Sequence, residues 1–349
     1  MVPRAGPTSL VLIAGLLTLV AGAFFLMEPR ARMANFTPFD ATSIGPDVDA
    51  YLANREARFG DIREGLQKQV AWAEPVAKTK TPLSIVYVHG FSASLGELRP
   101  LPDIVAQRLG ANLYYTRLAG HGRSGDALAQ ATVDAWIEDV EEALAIGRRI
   151  GERVVLIGTS SGATLNTWAA TRPEMMEDVA ALVNISPNYG VNAPGAWLLT
   201  APGAKRIANL LLGPNRTNQA KNALHAHGWT LNYPTAALLP MAALVRLTTR
   251  AEIDRIAVPA LFVFSDEDTV VRPDLTRIVA QRWGARADLV LIENSDGPDH
   301  HVLAGDALSP STTQAIADII VDWIATQKAS EPSRFAVGDE KIDHQGDAQ

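Results

Sequence analysis

Residues 157–162 read IGTSSG and lie between the branched apolar run RVVL and the helix-like run ATLNTWAATR. The pattern G-x-S-x-G, formed by Gly158, Ser160 and Gly162, is typical of a sharp turn that joins a strand to a helix. On such a turn the hydroxyl of Ser160 projects above the sheet, and the first amides of the helix point toward any negative charge that develops there. The stretch predicts a strand–turn–helix unit with Ser160 as a nucleophile, and a plain tight turn is the alternative.

Six short apolar runs rich in branched residues indicate buried strands, because they are too short for helices. They read LSIVYVHG, ANLYYTRL, RVVLIG, VAALVNIS, VPALFVFS and ADLVLIEN. Apolar residues at helical spacing occur between them, for example from Val133 to Leu144 and from Ile316 to Ile324. The alternation of strands and helices predicts an α/β fold, with a mostly parallel sheet and helices on both of its faces.

The composition narrows the possible functions. The 349 residues are 47% hydrophobic and 20% charged, which predicts a packed core rather than disorder. A net charge of −7 argues against nucleic acid as a partner, since such a protein needs a basic surface. The chain has no cysteine, which excludes disulfides, thiolate metal sites and a cysteine nucleophile.

Residues 8–27, TSLVLIAGLLTLVAGAFFLM, form a run of twenty residues without a charge, which is long enough to span a bilayer as a helix. As a signal peptide, the run would be cleaved after the small residues 21–23. As an uncleaved membrane anchor, it would continue through residues 24–27, and this continuation favours the anchor. Either interpretation predicts an exported protein, which is membrane-anchored, or secreted or periplasmic if the segment is cleaved.

A serine nucleophile needs a base and an acid that orients the base, and on this kind of turn they follow in the order serine, acid, histidine. The run LFVFSDEDTVV is a strand that leads into an acidic loop, which offers Asp266, Glu267 and Asp268. The later run LVLIENSDGPDHHVLAGD offers His300 and His301. The residues alone leave the choice within each loop open.

The chain resembles the α/β-hydrolase superfamily, and within it the monoacylglycerol lipase, lysophospholipase and carboxylesterase group. The resemblance covers about residues 82–327 and rests on VYVHGFSAS, AGHGRSG, GTSSG, SDEDTVV and DHHVLAGD, in that order. It implies a serine ester hydrolase that works through an acyl-serine intermediate, without a cofactor or metal. The catalytic triad that it implies is Ser160, Asp268 and His301, with Asp266 and His300 as the alternatives.

The resemblance also implies that the N–H groups of Phe91 and Ser161 stabilise the oxyanion. Between the fourth and fifth of the six runs, about seventy residues contain two apolar helix-like stretches, where the family carries a cap or lid over the acyl pocket. An apolar cap above the nucleophile indicates a hydrophobic acyl ester as substrate, which a membrane-tethered enzyme would draw from lipid.

These patterns divide the chain into six segments. They are a signal peptide or membrane anchor (1–34), a linker with a helical segment at 48–73 (35–81), the first part of the hydrolase core (82–186), the helical cap (187–258), the second part of the core (259–329) and a polar mobile tail (330–349).

Other functions stay open at this stage. An acyltransferase, thioesterase or amidase on the same fold would share the motifs, and a non-catalytic membrane-anchored binding protein would keep only the fold. The sequence from Gly120 to Gly125 fits G-x-G-x-x-G, but a dinucleotide site needs a helix to begin there, and the helical pattern begins only near Val133. His225 and His227 lack a carboxylate cluster and are interpreted as cap residues, not metal ligands. His89 and His121 are interpreted as structural or pocket-lining residues.

Overall fold

The computed structural model describes residues 38–329 and Gly15. The strands are β1 (Gln69–Ala71), β2 (Thr81–Val88), β3 (Asn112–Tyr115), β4 (Gly151–Thr159), β5 (Val179–Ile185), β6 (Asn215–Thr217), β7 (Asn232–Pro234), β8 (Ala260–Phe264) and β9 (Ala287–Leu291). The helices are α1 (Val48–Glu56), α2 (Leu101–Leu109), α3 (Gly125–Gln130), α4 (Val133–Ile150), α5 (Ser161–Ala170), α6 (Ala204–Leu212), α7 (Ala223–Gly228), α8 (Leu238–Thr249), α9 (Pro273–Gln281) and α10 (Pro310–Ala329).

A seven-stranded sheet forms the centre of the fold, in the order β1-β3-β2-β4-β5-β8-β9. All neighbouring pairs are parallel except β1 and β3, which are antiparallel. The six apolar runs form β2, β3, β4, β5, β8 and β9, so the predicted α/β fold with a mostly parallel sheet is confirmed. The strand β1 was not predicted, because three residues of half-exposed sheet edge carry no periodic signal.

Alternate residues of the central strands point into two separate cores, as the two-residue period of a strand requires. Val86 and Leu156 belong to one core, which α4 and α5 cover. Ile85 and Ile157 belong to the other core, which α2 and α10 cover. Because helices cover both faces of the sheet, a binding site is expected in the loops at the carboxyl ends of the strands.

The segment between β5 and β8 contains α6, α7, α8 and the two-stranded antiparallel sheet of β6 and β7. This is the segment that the sequence assigns to a helical cap. The helix α8 packs on α5, the helix that follows Ser160. The cap segment therefore contacts the part of the core that carries the candidate nucleophile.

Two local expectations were wrong. The segment 48–73 is helical only to Glu56, where the chain turns and its carboxylate binds the buried Arg117. A helix does begin at Gly125, because the Ser124 side chain accepts the Ala127 N–H as an N-cap. The glycine at 125 has a packing explanation: a Cβ there would lie 2.1 Å from the Asn232 carbonyl oxygen of β7.

Apart from Gly15, the apolar run at residues 8–27 lies outside the described residues, as does the tail from residue 330. Within the described ranges, no helix has both the length and the apolar character needed to cross a membrane.

Candidate active site

Ser160 lies on the turn between β4 and α5 with φ 51°, a left-handed conformation that is uncommon for a residue with a side chain. Its N–H donates to the Ile185 carbonyl at 2.9 Å, which fixes the turn to the neighbouring strand β5. The two glycines of the motif allow close packing: a Cβ on Gly162 would lie 2.1 Å from the Val88 carbonyl oxygen, and one on Gly158 would lie 2.5 Å from Asn166 Nδ2. The expected strand–turn–helix unit is therefore present, with Ser160 at its apex.

Asp268 and His301 lie in the loops after β8 and β9, the two strands at the far edge of the sheet. His301 Nδ1 donates to Asp268 Oδ2 at 2.7 Å. The other oxygen, Oδ1, accepts the N–H groups of Val270 at 2.8 Å and Val271 at 2.9 Å. Burial lowers the pKa of His301, but the hydrogen bond and charge of Asp268 outweigh it, and the pKa is raised above its ordinary value.

The alternative acid and base lie elsewhere. Asp266 is exposed and forms an ion pair with Arg277 at 2.7 Å. His300 Nδ1 forms a hydrogen bond with the Ser295 hydroxyl at 3.0 Å, and its Nε2 lies 3.4 Å from the Glu267 carboxylate. Neither Asp266 nor His300 lines the cavity that contains Ser160 and His301. The geometry therefore favours Asp268 and His301 as the functional pair.

Ser160 and His301 line one cavity of about 750 Å³, which falls in the range of small-molecule sites. Its wall is mostly apolar, and much of it comes from the cap segment, including Leu198, Leu199, Ile207, Leu211, Leu238 and Met241. A hydrogen bond between the Ser160 hydroxyl and His301 is not among those formed by the described residues, and such contacts commonly tighten only when substrate binds. The cavity can hold an apolar group with its reacting end at the serine.

The expected oxyanion donors belong to the residue after the nucleophile and to a loop that lines the cavity. Ser161 is the first residue of α5, so its N–H has no partner within the helix. Phe91 lies in the loop of residues 89–94 after β2 (the oxyanion loop) and lines the cavity. In the described part of the chain, neither N–H donates to another protein group. Both amides are therefore available to a negatively charged oxygen.

Sequence reasoning missed Glu97, which is only 2% exposed and lines the same cavity. It ends the 3₁₀ turn Leu95–Glu97, which the Ser94 side chain caps. Its carboxylate accepts the Gly90 N–H at 2.7 Å and the Tyr87 hydroxyl at 3.0 Å. No pattern in the sequence distinguishes this glutamate from a surface one, because its burial depends on where the turn folds back.

The described histidines other than His301 have protein partners. His89 Nδ1 donates to the Gly90 carbonyl at 2.9 Å, and its Nε2 accepts the Leu118 N–H at 3.1 Å. His121 packs on His89 with ring centroids 4.8 Å apart. In the cap, His225 packs edge-on against Trp229. Among the described residues, no group of three or more histidines and carboxylates could hold a metal ion.

A buried ionic network connects Lys68, which precedes β1, to α4. Lys68 Nζ donates to Asp139 at 2.8 Å and also to Glu142. The second oxygen of Asp139 accepts the Ala119 N–H at 2.6 Å, and so ties the loop after β3 to α4. The charges of the two carboxylates outweigh the effect of burial and keep the Lys68 ammonium ionised. The network holds the segment before β2 against the core near the site.

Comparison with known proteins gives concordant results. The model of the alpha/beta hydrolase family matches residues 85–312. A thermostable monoacylglycerol lipase from Bacillus sp. (strain H-257) is 28% identical over 239 residues, which cover 68% of this chain and 90% of that protein.

Solved structures resemble the fold. One of two metagenome-derived lipolytic enzymes has a TM-score of 0.60 at 20% identity and covers 76% of this chain and 99% of that chain. The monoacylglycerol lipase of Paleococcus ferrophilus has a TM-score of 0.55 at 15% identity, covering 75% and 99%. A soluble variant of the monoglyceride lipase of Saccharomyces cerevisiae has a TM-score of 0.58 at 12% identity, covering 75% and 91%.

Proposed function

This chain belongs to the alpha/beta hydrolase family, and on that basis we propose that it is a serine ester hydrolase that cleaves acyl esters through an acyl-serine intermediate. The observation that carries the proposal is His301, which is joined to Asp268 at 2.7 Å and lines the same cavity as the strained Ser160. A serine hydroxyl, a histidine base and an acid that orients the histidine form one of the arrangements that activate a hydroxyl group as a nucleophile.

In the proposed first half-reaction, His301 Nε2 accepts the Ser160 proton as Oγ attacks the ester carbonyl carbon. The carbonyl oxygen becomes an oxyanion and accepts hydrogen bonds from the Phe91 and Ser161 N–H groups. Asp268 holds the proton of Nδ1 and stabilises the imidazolium. Collapse of the tetrahedral intermediate breaks the ester C–O bond, and His301 gives its proton to the leaving alcohol.

In the second half-reaction, water replaces the alcohol. His301 accepts a proton from the water as its oxygen attacks the acyl carbon, and the same two N–H groups stabilise the second oxyanion. When this intermediate collapses, the bond to Ser160 Oγ breaks and the serine regains its proton from His301. The products are a carboxylic acid and an alcohol, and the enzyme is unchanged.

We propose a monoester of a fatty acid, such as a monoacylglycerol, as the substrate class. The apolar wall that the cap contributes favours an acyl chain over a polar acid. The name of the Bacillus relative, a monoacylglycerol lipase, supports the same class. We also propose that residues 8–27 tether the exported enzyme to a membrane, so that the cap receives substrate from lipid. Membrane fractionation of the full chain beside a form that begins at residue 35 tests the tether, which is refuted if both remain in the soluble fraction.

Nitrophenyl esters from acetyl to palmitoyl test the hydrolase activity, with the form that begins at residue 35 and its Ser160→Ala variant side by side. We expect hydrolysis that rises with chain length beyond acetyl and disappears in the variant. A fluorophosphonate probe should label the parent protein and not the variant. If the probe labels Ser160 but no ester is hydrolysed, the serine is reactive and the reaction class is different. An acyl product formed on an added alcohol or amine in preference to the free acid would indicate an acyltransferase.

A further inference from the structure

Glu97 places a buried carboxyl group on the wall of the cavity that Ser160 and His301 line. Its Oε2 accepts two hydrogen bonds, from the Gly90 N–H at 2.7 Å and from the Tyr87 hydroxyl at 3.0 Å. Gly90 immediately precedes Phe91 in the oxyanion loop. Through this bond the carboxyl fixes the peptide next to the N–H that the proposed mechanism uses, which makes Glu97 a positioning residue.

The other oxygen of Glu97 and the side chain of Ser160 both approach Gly90. A Cβ built on Gly90 would be 2.7 Å from Glu97 Oε1 and 3.1 Å from Ser160 Cβ, so both groups border one small space. Oε1 makes no hydrogen bond to any residue that the structure describes. A proton on the carboxyl would therefore reside on Oε1 and face the site, while Oε2 continues to accept its two bonds.

Four titratable or charged groups come from elements that line the cavity or pack on the turn of Glu97. Tyr87 comes from β2, His301 from the loop after β9, Arg216 from the cap strand β6, and His225 from α7, which packs on the turn of Glu97. Within the described residues none of them forms an ion pair with Glu97. Burial raises the pKa of Glu97 to about 7, and the Gly90 N–H, the charge of His301 and the Tyr87 hydroxyl only partly oppose this.

Resting on the proposed function, we propose that the neutral carboxyl of Glu97 is the working form and that loss of its proton suppresses turnover. The neutral group holds Gly90 through Oε2 and offers an O–H donor from Oε1 beside the reacting oxygen. The ionised group keeps the first contact but places a negative charge next to the position where the oxyanion develops. In a buried site this repulsion is weakly screened, so the transition state is destabilised.

The pH dependence of kcat/KM for nitrophenyl butyrate, read at the isosbestic wavelength, tests the proposal. Activity should rise with pH as His301 loses its proton and fall above the pKa of Glu97, by up to about tenfold per pH unit for one ionisation. In Glu97→Gln, whose amide imitates the neutral acid, the rise should remain and the fall should vanish. Tyr87 does not account for the fall, because burial raises its pKa well above its usual range.

Glu252→Gln is the matched control, since Glu252 is exposed and its partner is Arg255 on the surface. This variant should keep the alkaline fall. If Glu97→Gln keeps the fall as well, or if the parent protein shows an alkaline plateau, the proposal is refuted. Glu97→Leu, which cannot hold Gly90, should lose activity across the whole pH range while its circular dichroism stays native, whereas a purely space-filling role predicts that it remains active.

A second readout does not depend on ester turnover. Because the folded pKa of Glu97 is raised, its proton stabilises the native state fully below the ordinary pKa of glutamate, about 4.3, and this stabilisation is lost as the pH rises to about 7. Urea unfolding of the parent protein should therefore show a loss between these pH values that Glu97→Gln lacks. If this difference appears but no ester is cleaved, the hydrolase proposal fails while the neutral carboxyl stands. If the two pH profiles of stability coincide, the neutral carboxyl is refuted.

Discussion

Replacing Asp268 with asparagine tests the role of this residue through the tautomer of His301. Asp268 Oδ1 accepts two backbone N–H groups, at 2.8 and 2.9 Å, and only an oxygen can occupy that position. The asparagine amide must therefore direct its NH₂ group at His301 Nδ1, where the Oδ2 of the aspartate was 2.7 Å away. Because NH₂ is a donor, Nδ1 must become the acceptor, and the imidazole proton moves to Nε2. That nitrogen then cannot take the proton of Ser160.

The expected loss is large because the variant keeps its shape and loses its base. An aspartate-to-asparagine change of this kind reduces kcat by about 10⁴ in serine hydrolases that use a histidine base. This corresponds to about 5.4 kcal/mol of transition-state stabilisation, from the wrong tautomer and from the missing charge opposite the imidazolium. The stability of the fold should change little, since each of the three hydrogen bonds keeps a donor and an acceptor.

The assay is steady-state hydrolysis of nitrophenyl butyrate by the parent protein, Asp268→Asn and Asp266→Asn, with thermal unfolding of each. Asp266 is the matched control, because it lies two residues away in the same loop and its ion pair with Arg277 is exposed. Its substitution should leave kcat within about twofold, since exposed pairs contribute little. The reasoning is refuted if Asp268→Asn retains activity within tenfold of the parent protein, and the assignment of the acid is reversed if Asp266→Asn is the inactive variant.

Three further changes have expected outcomes. Gly162→Ala should lower the free energy of unfolding by about 1–3 kcal/mol and reduce kcat, because the new Cβ would lie 2.1 Å from a backbone oxygen. The control is Gly60→Ala, whose Cβ would have no atom within 4 Å. In urea titrations it should change the free energy of unfolding by less than about 1 kcal/mol. Lys68→Met should cost about 3–5 kcal/mol, because the buried Asp139 loses its cation and Glu142 keeps only Arg55, whereas Lys80→Met at an exposed pair should cost less than about 1 kcal/mol. Equal losses of stability in the two lysine variants would contradict this explanation. Ala208→Phe should fill the acyl cavity and shift the ester chain-length optimum downward with acetyl ester hydrolysis retained, and an unchanged optimum would show that acyl chains lie elsewhere.

The parts of the fold that the sequence predicts are those with a strong local pattern. Continuous apolar runs are required of strands buried on both faces, and all six were identifiable. The G-x-S-x-G turn has a local steric cause, because a Cβ on either of its glycines would lie less than 3 Å from backbone atoms. The edge strand β1 and the short helix α3 lack such a pattern. Each has six residues or fewer and depends on a partner distant in sequence, Tyr114 for β1 and the cap strand β7 for α3.

The candidate site also has parts that the sequence predicts and parts that it does not. The acid and histidine loops follow strands in a fixed order, so each loop was predicted, but the choice between neighbouring residues needed three-dimensional information. The geometry favours Asp268 because its buried side chain accepts two backbone N–H groups, while Asp266 is exposed and pairs with Arg277. Glu97 was not predicted at all. Its burial depends on a contact with Gly90 across the oxyanion loop, and nothing in the local sequence encodes that contact.

Residues with a strained backbone are concentrated near the candidate site. Six non-glycine residues of the described chain have a positive φ, and four of them, Ser92, Ser160, Ser186 and His300, lie at the carboxyl ends of strands or in the loops that surround the cavity. Each costs of order 1–3 kcal/mol and persists only where the surrounding structure determines it. Ser160 is held by the hydrogen bond from its N–H to Ile185 of β5, and His300 immediately precedes His301, which contacts Asp268. Because random strain would be spread over the many loops of the chain, this concentration around one cavity indicates that the rigid core maintains the geometry of that site.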